Sequence, residues 1–229
     1  NLLKKSIINF EKSIFKILKI EFYLIYFQNF LKKKDYKNLL MLAKKVNRNQ
    51  NLNDKNISKI FETINNQLRY LAKNGKFKEN FYIDNWFAKK EILSKITNSK
   101  DNFFDYFENP LKFVDIDNFK KFYLDFIKWD LKEAKKGNLS SSFKKASDGV
   151  WRDLRQELTF IVDDNSLNPK SNKFFLRNVL PIHNRMADGP SLEVINKITK
   201  LIKSNKIKIL KEKNKIITNK KKEILVKTK

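Results

Sequence analysis

The stretch RMADGPSLEVINKITKLIKSNKIKIL, residues 185–210, contains the change of pattern that decides the fold. In its first half, apolar residues recur at three- and four-residue steps, which predicts an amphipathic helix. In its second half, KIKIL at residues 206–210 alternates lysine with aliphatic residues, which predicts a strand. Asn205 lies between the two patterns and is expected to close the helix. The residues expected to face inward from this helix are Leu192, Ile195, Ile198, Thr199 and Ile202.

The start of this helix is marked by the pair Gly189-Pro190. Proline suits the first helical position, where its missing N–H is not needed, and glycine permits a sharp entry. Ser191 and Glu193 then fall in the first turn, where a carboxylate interacts favourably with the helix dipole. The pair is therefore explained either by the helix start alone or by a backbone that passes close to a ligand.

Upstream of this stretch, the chain has helical spacing almost throughout. In residues 2–31, for example, Phe15, Leu18 and Phe22 recur on one side between lysines, as in an amphipathic helix. Further helices are predicted at 36–46, from Asn53 as cap to 74–75, within 81–96, from Asp115 or Asp117 as cap to Gly137, after 140–142, and before Pro181.

The C-terminal tail has the pattern of short strands at 206–210, 215–218 and 223–228. Three strands of this length cannot bury an apolar face by themselves. We therefore expect a mainly α fold with a helical domain at 1–204 and a short antiparallel β segment at 205–229. That segment is expected to join a sheet outside this sequence.

Composition limits the function classes. The chain has 229 residues, no cysteine and one histidine, which excludes disulfide scaffolds, thiolate metal sites and sites with several histidines. The formal charge of +25 is carried mainly by lysine spread over every segment. Arginine, which makes the bidentate contacts of specific nucleic-acid recognition, is scarce, so no specific nucleic-acid partner is expected. The arginines are at positions 48, 69, 152, 155, 177 and 185.

The N-terminal region has neither the length of uncharged apolar sequence that a membrane span needs nor a small-residue cleavage site. We therefore expect a cytoplasmic protein with no membrane partner. The first residue is asparagine, and with the unpartnered strands of the tail this indicates a fragment of a larger protein.

Two arginines lie close together in DGVWRDLRQEL, residues 148–158. Arg152 and Arg155 are three residues apart on a predicted helix and so share a face. In an arginine-poor chain, such a doublet is a candidate clamp for a carboxylate or phosphate. The alternative is that both arginines pair at the surface with nearby acids, namely Asp148, Asp153 or Glu157.

His183 and Arg185 precede the Gly189-Pro190 turn and form a second candidate group, which points toward the same ligand if the turn is a binding feature. A single histidine without a visible partner is more often structural than catalytic. The sequence contains no glycine-rich dinucleotide turn, phosphate loop, nucleophile elbow or metal-ligand spacing. No catalytic residue or metal site is therefore assigned.

Three stretches resemble one family in order and spacing. They are FYLDFIKWDLKEAKKGN, DGVWRDLRQELTFIVDD and the stretch at 185–210, preceded by YFENPLKFVDIDNF. They resemble the helical middle of the FAD/NAD(P)-binding oxidoreductases that include flavin-dependent urate hydroxylases and nitrosuccinate-forming amino-acid N-oxygenases. The resemblance covers roughly residues 100–210. The family's glycine-rich fingerprint has no counterpart here, so its flavin-binding residues are not carried over to any position.

The resemblance implies that the chain is a helical domain covering the flavin of a monooxygenase that uses FAD and NAD(P)H. The tail strands would then rejoin the missing nucleotide-binding domain, against which this chain would pack. A small anionic substrate would be bound by Arg152, Arg155, His183 and Arg185, with Gly189 and Pro190 passing beside the cofactor. The Gly189-Pro190 turn is accordingly expected beside the helix that carries the arginine doublet.

Two readings without catalysis compete with this one. The chain is alternatively a basic helical module that binds nucleic acid, or one that binds another protein through an amphipathic helix. Whether the chain has any activity by itself is left open, because the sequence contains no complete active site.

Overall fold

The fold is mainly helical. The computed structural model describes residues 2–48, 54–99, 103–110, 114, 117–153, 155–156, 159, 162, 167–209, 215–218 and 224–227. Its α-helices are α1 (Leu2–Phe27), α2 (Lys33–Arg48), α3 (Asp54–Lys73), α4 (Glu79–Asp84), α5 (Lys90–Asn98), α6 (Asp105–Glu108), α7 (Phe119–Ser140), α8 (Ser142–Ser147), α9 (Pro169–Phe174), α10 (Leu180–Ala187) and α11 (Leu192–Lys203). A 3₁₀ turn, Trp86–Ala88, joins α4 to α5.

Helix α1 is the central element, and α2, α3, α8 and α9 pack against it. Within residues 18–27, Leu18 and Phe22 are buried, as the spacing predicted. Ile20, Tyr23 and Leu24 are buried as well, so this part of the helix is enclosed on most sides. The helix ends at Phe27, four residues before the predicted end.

An aromatic cluster forms the centre of the core. Phe107, in the one-turn helix α6, is fully buried. Its ring centre lies 4.4 Å from that of Phe87, 4.9 Å from Tyr26 and 5.9 Å from Phe22. Tilted and edge-on contacts of this kind are preferred between aromatic rings. The cluster therefore ties α1, the 3₁₀ turn and α6 together.

Helix α7 differs from its predicted start and end. Its N-cap is Asn118, which makes no side-chain capping bond, so Asp117 is not the cap. Near the other end, Gly137 has φ 74° and interrupts the helix, which resumes as far as Ser140. Glycine adopts positive φ without a steric penalty. The predicted end at Gly137 is thus a kink. The predicted caps Asn53 and Asp115 lie outside the described residues.

Two helices contain wide π turns. One, Asp148–Arg152, continues α8, and the other, Phe175–Val179, joins α9 to α10. The helix predicted to end before Pro181 instead runs through it to Ala187. A proline inside a helix cannot donate to a preceding carbonyl, and the altered ladder of the π turn just before Pro181 accommodates that missing bond.

Helix α11 begins two residues later than the sequence predicts. Ser191 is its N-cap and accepts a hydrogen bond from the Val194 N–H at 3.4 Å, so Pro190 precedes the helix. Ile202 is buried as expected, whereas Leu192 is exposed. Asn205 closes the helix in the left-handed region at φ 58°.

The C-terminal part differs from the predicted three strands. Residues 206–209, where the first was expected, form no strand. Two short strands, β1 (Lys215–Thr218) and β2 (Ile224–Lys227), pair antiparallel, with Ile216 opposite Val226. Their assignment to a nucleotide-binding fold stays a prediction. Among the helices of the described ranges, none has the length and apolar character needed to cross a membrane.

Candidate functional site

The two segments that carry the candidate residues lie side by side. The π turn Asp148–Arg152 packs against helix α10, which contains His183 and Arg185. Arg155 follows that turn, and Asp188 follows α10. The side chains of Arg155 and Asp188 meet across this contact. The Gly189-Pro190 turn, directly after Asp188, therefore lies next to the arginine doublet.

Asp188 connects Arg155 with His183. Its Oδ1 lies 3.0 Å from Arg155 Nη1, and its Oδ2 lies 3.7 Å from His183 Nδ1. The Arg155 side chain is 59% exposed and the Asp188 side chain 35%. A carboxylate between the two groups offsets the positive charge that the sequence led us to expect there. An incoming anion must therefore share Arg155 with Asp188 or displace it.

His183 is the buried member of this group. Its side chain is only 9% exposed, and its Nε2 is buried without a hydrogen-bond partner among the described residues. Burying a polar atom without a partner costs free energy. The His183 ring thus lies in the protein interior, with Nδ1 facing Asp188 and Nε2 unpartnered among the described residues.

Arg152 pairs at the surface with a nearby acid, which was the alternative that the sequence left open. It is well exposed and pairs with Asp148 one helical turn earlier, with Nη1 3.4 Å from Oδ1. Asp148 also accepts a hydrogen bond from the Asn138 amide. Exposed pairs of this kind contribute little stability. Arg152 pairs with Asp148 and Arg155 with Asp188, so the doublet does not act on one carboxylate.

Arg185 points to a different part of the protein from Arg155. Its Nη2 contacts Met186 Sδ at 3.7 Å, and its Nε is buried without a hydrogen-bond partner in the part of the chain described. Burial lowers the pKa of Arg185 to about 10, while the carboxylates of Asp130 and Glu108 act in the opposite direction. Of the four predicted residues, Arg155 and His183 therefore lie at Asp188, Arg152 pairs with Asp148, and Arg185 is directed into the interior.

The interior charges near Arg185 form a network that sequence reasoning missed. Lys19 Nζ lies 2.5 Å from Glu108 and 3.9 Å from Asp105. The same ammonium lies 4.5 Å from the Phe15 ring centre and 4.8 Å from that of Phe104, within the range of cation–π contacts. Because these residues come from α1 and from the region of α6, no local pattern in the sequence could reveal them.

The residue that joins the candidate group was also missed. Asp188 lies inside the stretch at 185–210, but its position before Gly189 reads as a turn signal. No local pattern reveals the contact with His183, because residues five apart do not share a helix face and Asp188 lies just beyond the helix.

The residues proposed for the cofactor do not form a cradle for it. Gly189 and Pro190 are exposed, and a Cβ added to Gly189 would meet nothing within 4 Å. The N-terminus of α11 is already capped by Ser191 and has Glu193 in its first turn, whose charge repels a diphosphate. This part of the chain therefore does not fit the diphosphate of FAD, which must be held elsewhere if it is bound.

Comparison with known proteins gives two partial matches. The chain is 33% identical over 95 residues to an L-aspartate N-monooxygenase (nitrosuccinate-forming) of Streptomyces davaonensis. It is 35% identical over 88 residues to a nitrosuccinic acid synthase of Aspergillus oryzae. The matched segments cover 41% and 38% of this chain but only 14% and 13% of those proteins. No family model matches the chain, and no solved structure does.

Proposed function

We propose that this chain is the helical part of a larger FAD- and NAD(P)H-dependent monooxygenase, in which it covers the flavin and helps to bind a small anionic substrate. The observation that carries the proposal is the similarity to a bacterial and a fungal protein whose names describe the same product, nitrosuccinate. The matches extend over about 90 residues in both cases, which is longer than a single helical motif.

Arg155 is the residue best placed to meet an anionic substrate. Its guanidinium carries five N–H donors, of which the contact at Asp188 Oδ1 uses Nη1. The side chain is more than half exposed, so a second carboxylate can approach the same guanidinium. Asp188 then fixes the orientation of Arg155, and the other oxygen of Asp188 faces His183 Nδ1.

An exposed apolar surface supports packing against a further domain. Leu192 is 41% exposed and Val194 44% exposed at the start of α11, and Leu201 is 38% exposed near its end. Val194 and Leu201 are seven residues apart and share one face of the helix, and neighbouring exposed apolar side chains are typical of surfaces covered by a partner. In the proposed enzyme that partner is the nucleotide-binding domain, and the turn beside Arg155 then lies at the edge of the contact.

The division of chemical roles follows from this arrangement. The flavin supplies the redox chemistry when it is bound by the other domain. The helical part contributes a fixed positive charge at Arg155 for a substrate carboxylate and apolar surface that keeps water from the site. L-Aspartate, which the bacterial relative is named for, is the first substrate to test.

The test uses the full-length product of the gene that encodes this chain. NAD(P)H oxidation is followed after addition of L-aspartate, with succinate as the matched control that lacks the amino group. We expect oxidation to be stimulated by L-aspartate and nitrosuccinate to accumulate. A protein that binds no flavin and instead binds RNA with a steep dependence on salt would overturn the proposal in favour of the basic binding module.

A further inference from the structure

A cavity lies apart from the candidate arginine and histidine residues. It has a volume of about 420 Å³ and lies between the C-terminal end of α1, α4, α7 and the start of α8. Volumes of this size are typical of sites for small molecules. Its polar lining includes Asn29, Asn80, Asp84, Asn85, Glu133 and Ser142.

The kink in α7 shapes one wall of this cavity. Lys136 and Ser140 both line it, and Gly137, between them, has φ 74°. A residue with a side chain is strained in this conformation, so the wall depends on glycine at this position. The helix is therefore kinked at the cavity and continues to Ser140.

Glu133 presents a fixed carboxylate to the cavity. The residue is 7% exposed, and its Oε2 accepts a hydrogen bond of 2.7 Å from the Ser141 hydroxyl. Its Oε1 lies 2.6 Å from Lys136 Nζ. A carboxylate has about four lone-pair sites, so each oxygen retains the capacity to accept a further hydrogen bond.

Tyr26 presents a hydroxyl donor to the same space. The Phe87 N–H donates to Asn85 Oδ1 at 3.1 Å, which fixes the amide so that Asn85 Nδ2 donates to the Tyr26 hydroxyl at 2.6 Å. The Tyr26 hydroxyl is thus an acceptor, and its own proton has no acceptor among the described residues. Burial, together with the charge of Glu133, raises the pKa of Tyr26, so the hydroxyl keeps that proton.

Ser142 provides a second donor of the same kind. Its Oγ accepts a hydrogen bond of 3.2 Å from Asn29 Nδ2. Within the described ranges, the Ser142 hydroxyl proton has no acceptor. Two hydroxyl donors and the carboxylates of Glu133 and Asp84 therefore line one cavity.

The charges of the lining are already paired. Lys136 offsets Glu133, and Lys132 Nζ lies 3.0 Å from Asp84 Oδ1. An anion would be repelled by both carboxylates, and a cation would compete with the two lysines already in place. A neutral ligand avoids both costs, provided that its groups both donate and accept hydrogen bonds. An alcohol hydroxyl does so with a single oxygen.

We propose that this cavity binds a neutral, hydroxyl-rich small molecule, such as a sugar or polyol. Its hydroxyl groups accept hydrogen bonds from Tyr26 and Ser142 and donate one to Glu133, without disturbing the ion pair to Lys136. The partly buried ring of Phe30, also in the lining, provides an apolar contact for the carbon skeleton.

Binding is tested on the 229-residue chain by ligand-detected NMR and calorimetry. The probes are D-glucose, myo-inositol and glycerol, which separate sugars from acyclic polyols, with L-aspartate and spermidine as charged comparisons. We expect at least one of the three neutral probes to bind. Binding of a charged comparison with no neutral probe bound would overturn the proposal, as would the absence of binding by all three neutral probes.

Two variants locate the binding in this cavity. Tyr26→Phe and Ser142→Ala each remove one hydroxyl and are expected to weaken affinity by about 2- to 13-fold, the loss of one hydrogen bond. Ser94→Ala is the matched control for Ser142→Ala, because Ser94 is exposed and also accepts from an asparagine, Asn98. Ser142→Ala keeps the test valid if Tyr26→Phe fails to fold. An affinity unchanged in the folded variants would contradict the assignment.

Discussion

The N-terminal and C-terminal parts of the described chain differ in how many side chains they bury. Residues 15–110 bury a continuous set of aromatic and aliphatic side chains around α1, with Phe107 among those that are fully buried. In residues 167–209, the buried side chains of the described set are Ser171, Val179, His183 and Ile202. This second region packs on the core mainly through partly buried apolar side chains such as Phe174 and Met186. Its ion pairs, such as Arg155 with Asp188, are partly exposed, and apolar residues remain exposed on α11.

The difference separates the stable part of the fold from the part available for binding. Apolar burial provides most of the stability of a folded domain, so the first region supports the second. A region with few buried side chains and half-exposed ion pairs can rearrange at lower free-energy cost. His183 and Asp188 lie in this second region, and Arg155 contacts it through Asp188. Contact with another domain would complete the structure there.

Phe107→Ala is expected to give the largest effect, because Phe107 is fully buried among seven other aromatic rings within 6.5 Å. Deleting a buried phenylalanine ring costs about 3–5 kcal/mol of the free energy of unfolding. Urea unfolding of the isolated chain measures this loss. Leu201→Ala, on the exposed side of α11, is the control and should lose less than about 1 kcal/mol. Equal losses in the two variants would contradict the distinction between the two regions.

Arg155→Ala is expected to affect function more than stability. In the full-length enzyme, losing a charged hydrogen bond to the substrate costs about 1.5–3 kcal/mol and raises KM by about 10- to 150-fold. The unfolding free energy should change little, because the Arg155 side chain is mostly exposed. Steady-state kinetics with Arg152→Ala as the comparison tests this. A KM left unchanged by Arg155→Ala would remove Arg155 from the substrate site.

Asp188→Asn tests how much the ion pairs of the second region contribute to stability. The variant removes the charge that pairs with Arg155 and faces His183. Because the Arg155 contact is largely solvent-exposed, we expect a loss of about 0.2–1 kcal/mol in unfolding free energy. A loss as large as that of Phe107→Ala would mean that the ion pairs hold the fold and would contradict the distinction between the two regions.

Glu108→Gln is expected to give the smallest net change, because two effects oppose each other. Burial raises the pKa of Glu108, while the neighbouring Lys19 acts in the other direction. The folded state therefore binds more protons than the unfolded state, so stability is greatest below the unfolded pKa and is lost as pH rises through the folded pKa. Glutamine resembles the protonated carboxyl at every pH. The stability of the variant relative to wild type should therefore increase as pH rises through this window.

Urea unfolding across a pH series measures the Glu108 effect. Glu108→Ala is the contrast, since it leaves a void and should be less stable than Glu108→Gln at every pH. A stability difference between Glu108→Gln and wild type that stays constant from acid to neutral pH would contradict the assigned direction.

Local signals in the sequence predicted the elements better than the contacts between them. Gly75 and Asn205 end their helices in the left-handed region, as the sequence indicated. Pro181 did not end its helix, because the π turn before it accommodates the missing N–H. The pairing of Arg155 with Asp188 was not predicted, because Asp188 before Gly189 reads as a turn residue in the sequence.

The most direct test of the proposed function is FAD titration of two proteins, the 229-residue chain and the full-length product of its gene, followed by flavin fluorescence. The account predicts no detectable binding by the chain, in which the Gly189-Pro190 turn and the start of α11 do not fit the diphosphate. It predicts micromolar or tighter binding by the full-length protein. Binding of FAD by the isolated chain with a micromolar or tighter Kd would contradict it, as would a full-length protein that does not bind FAD.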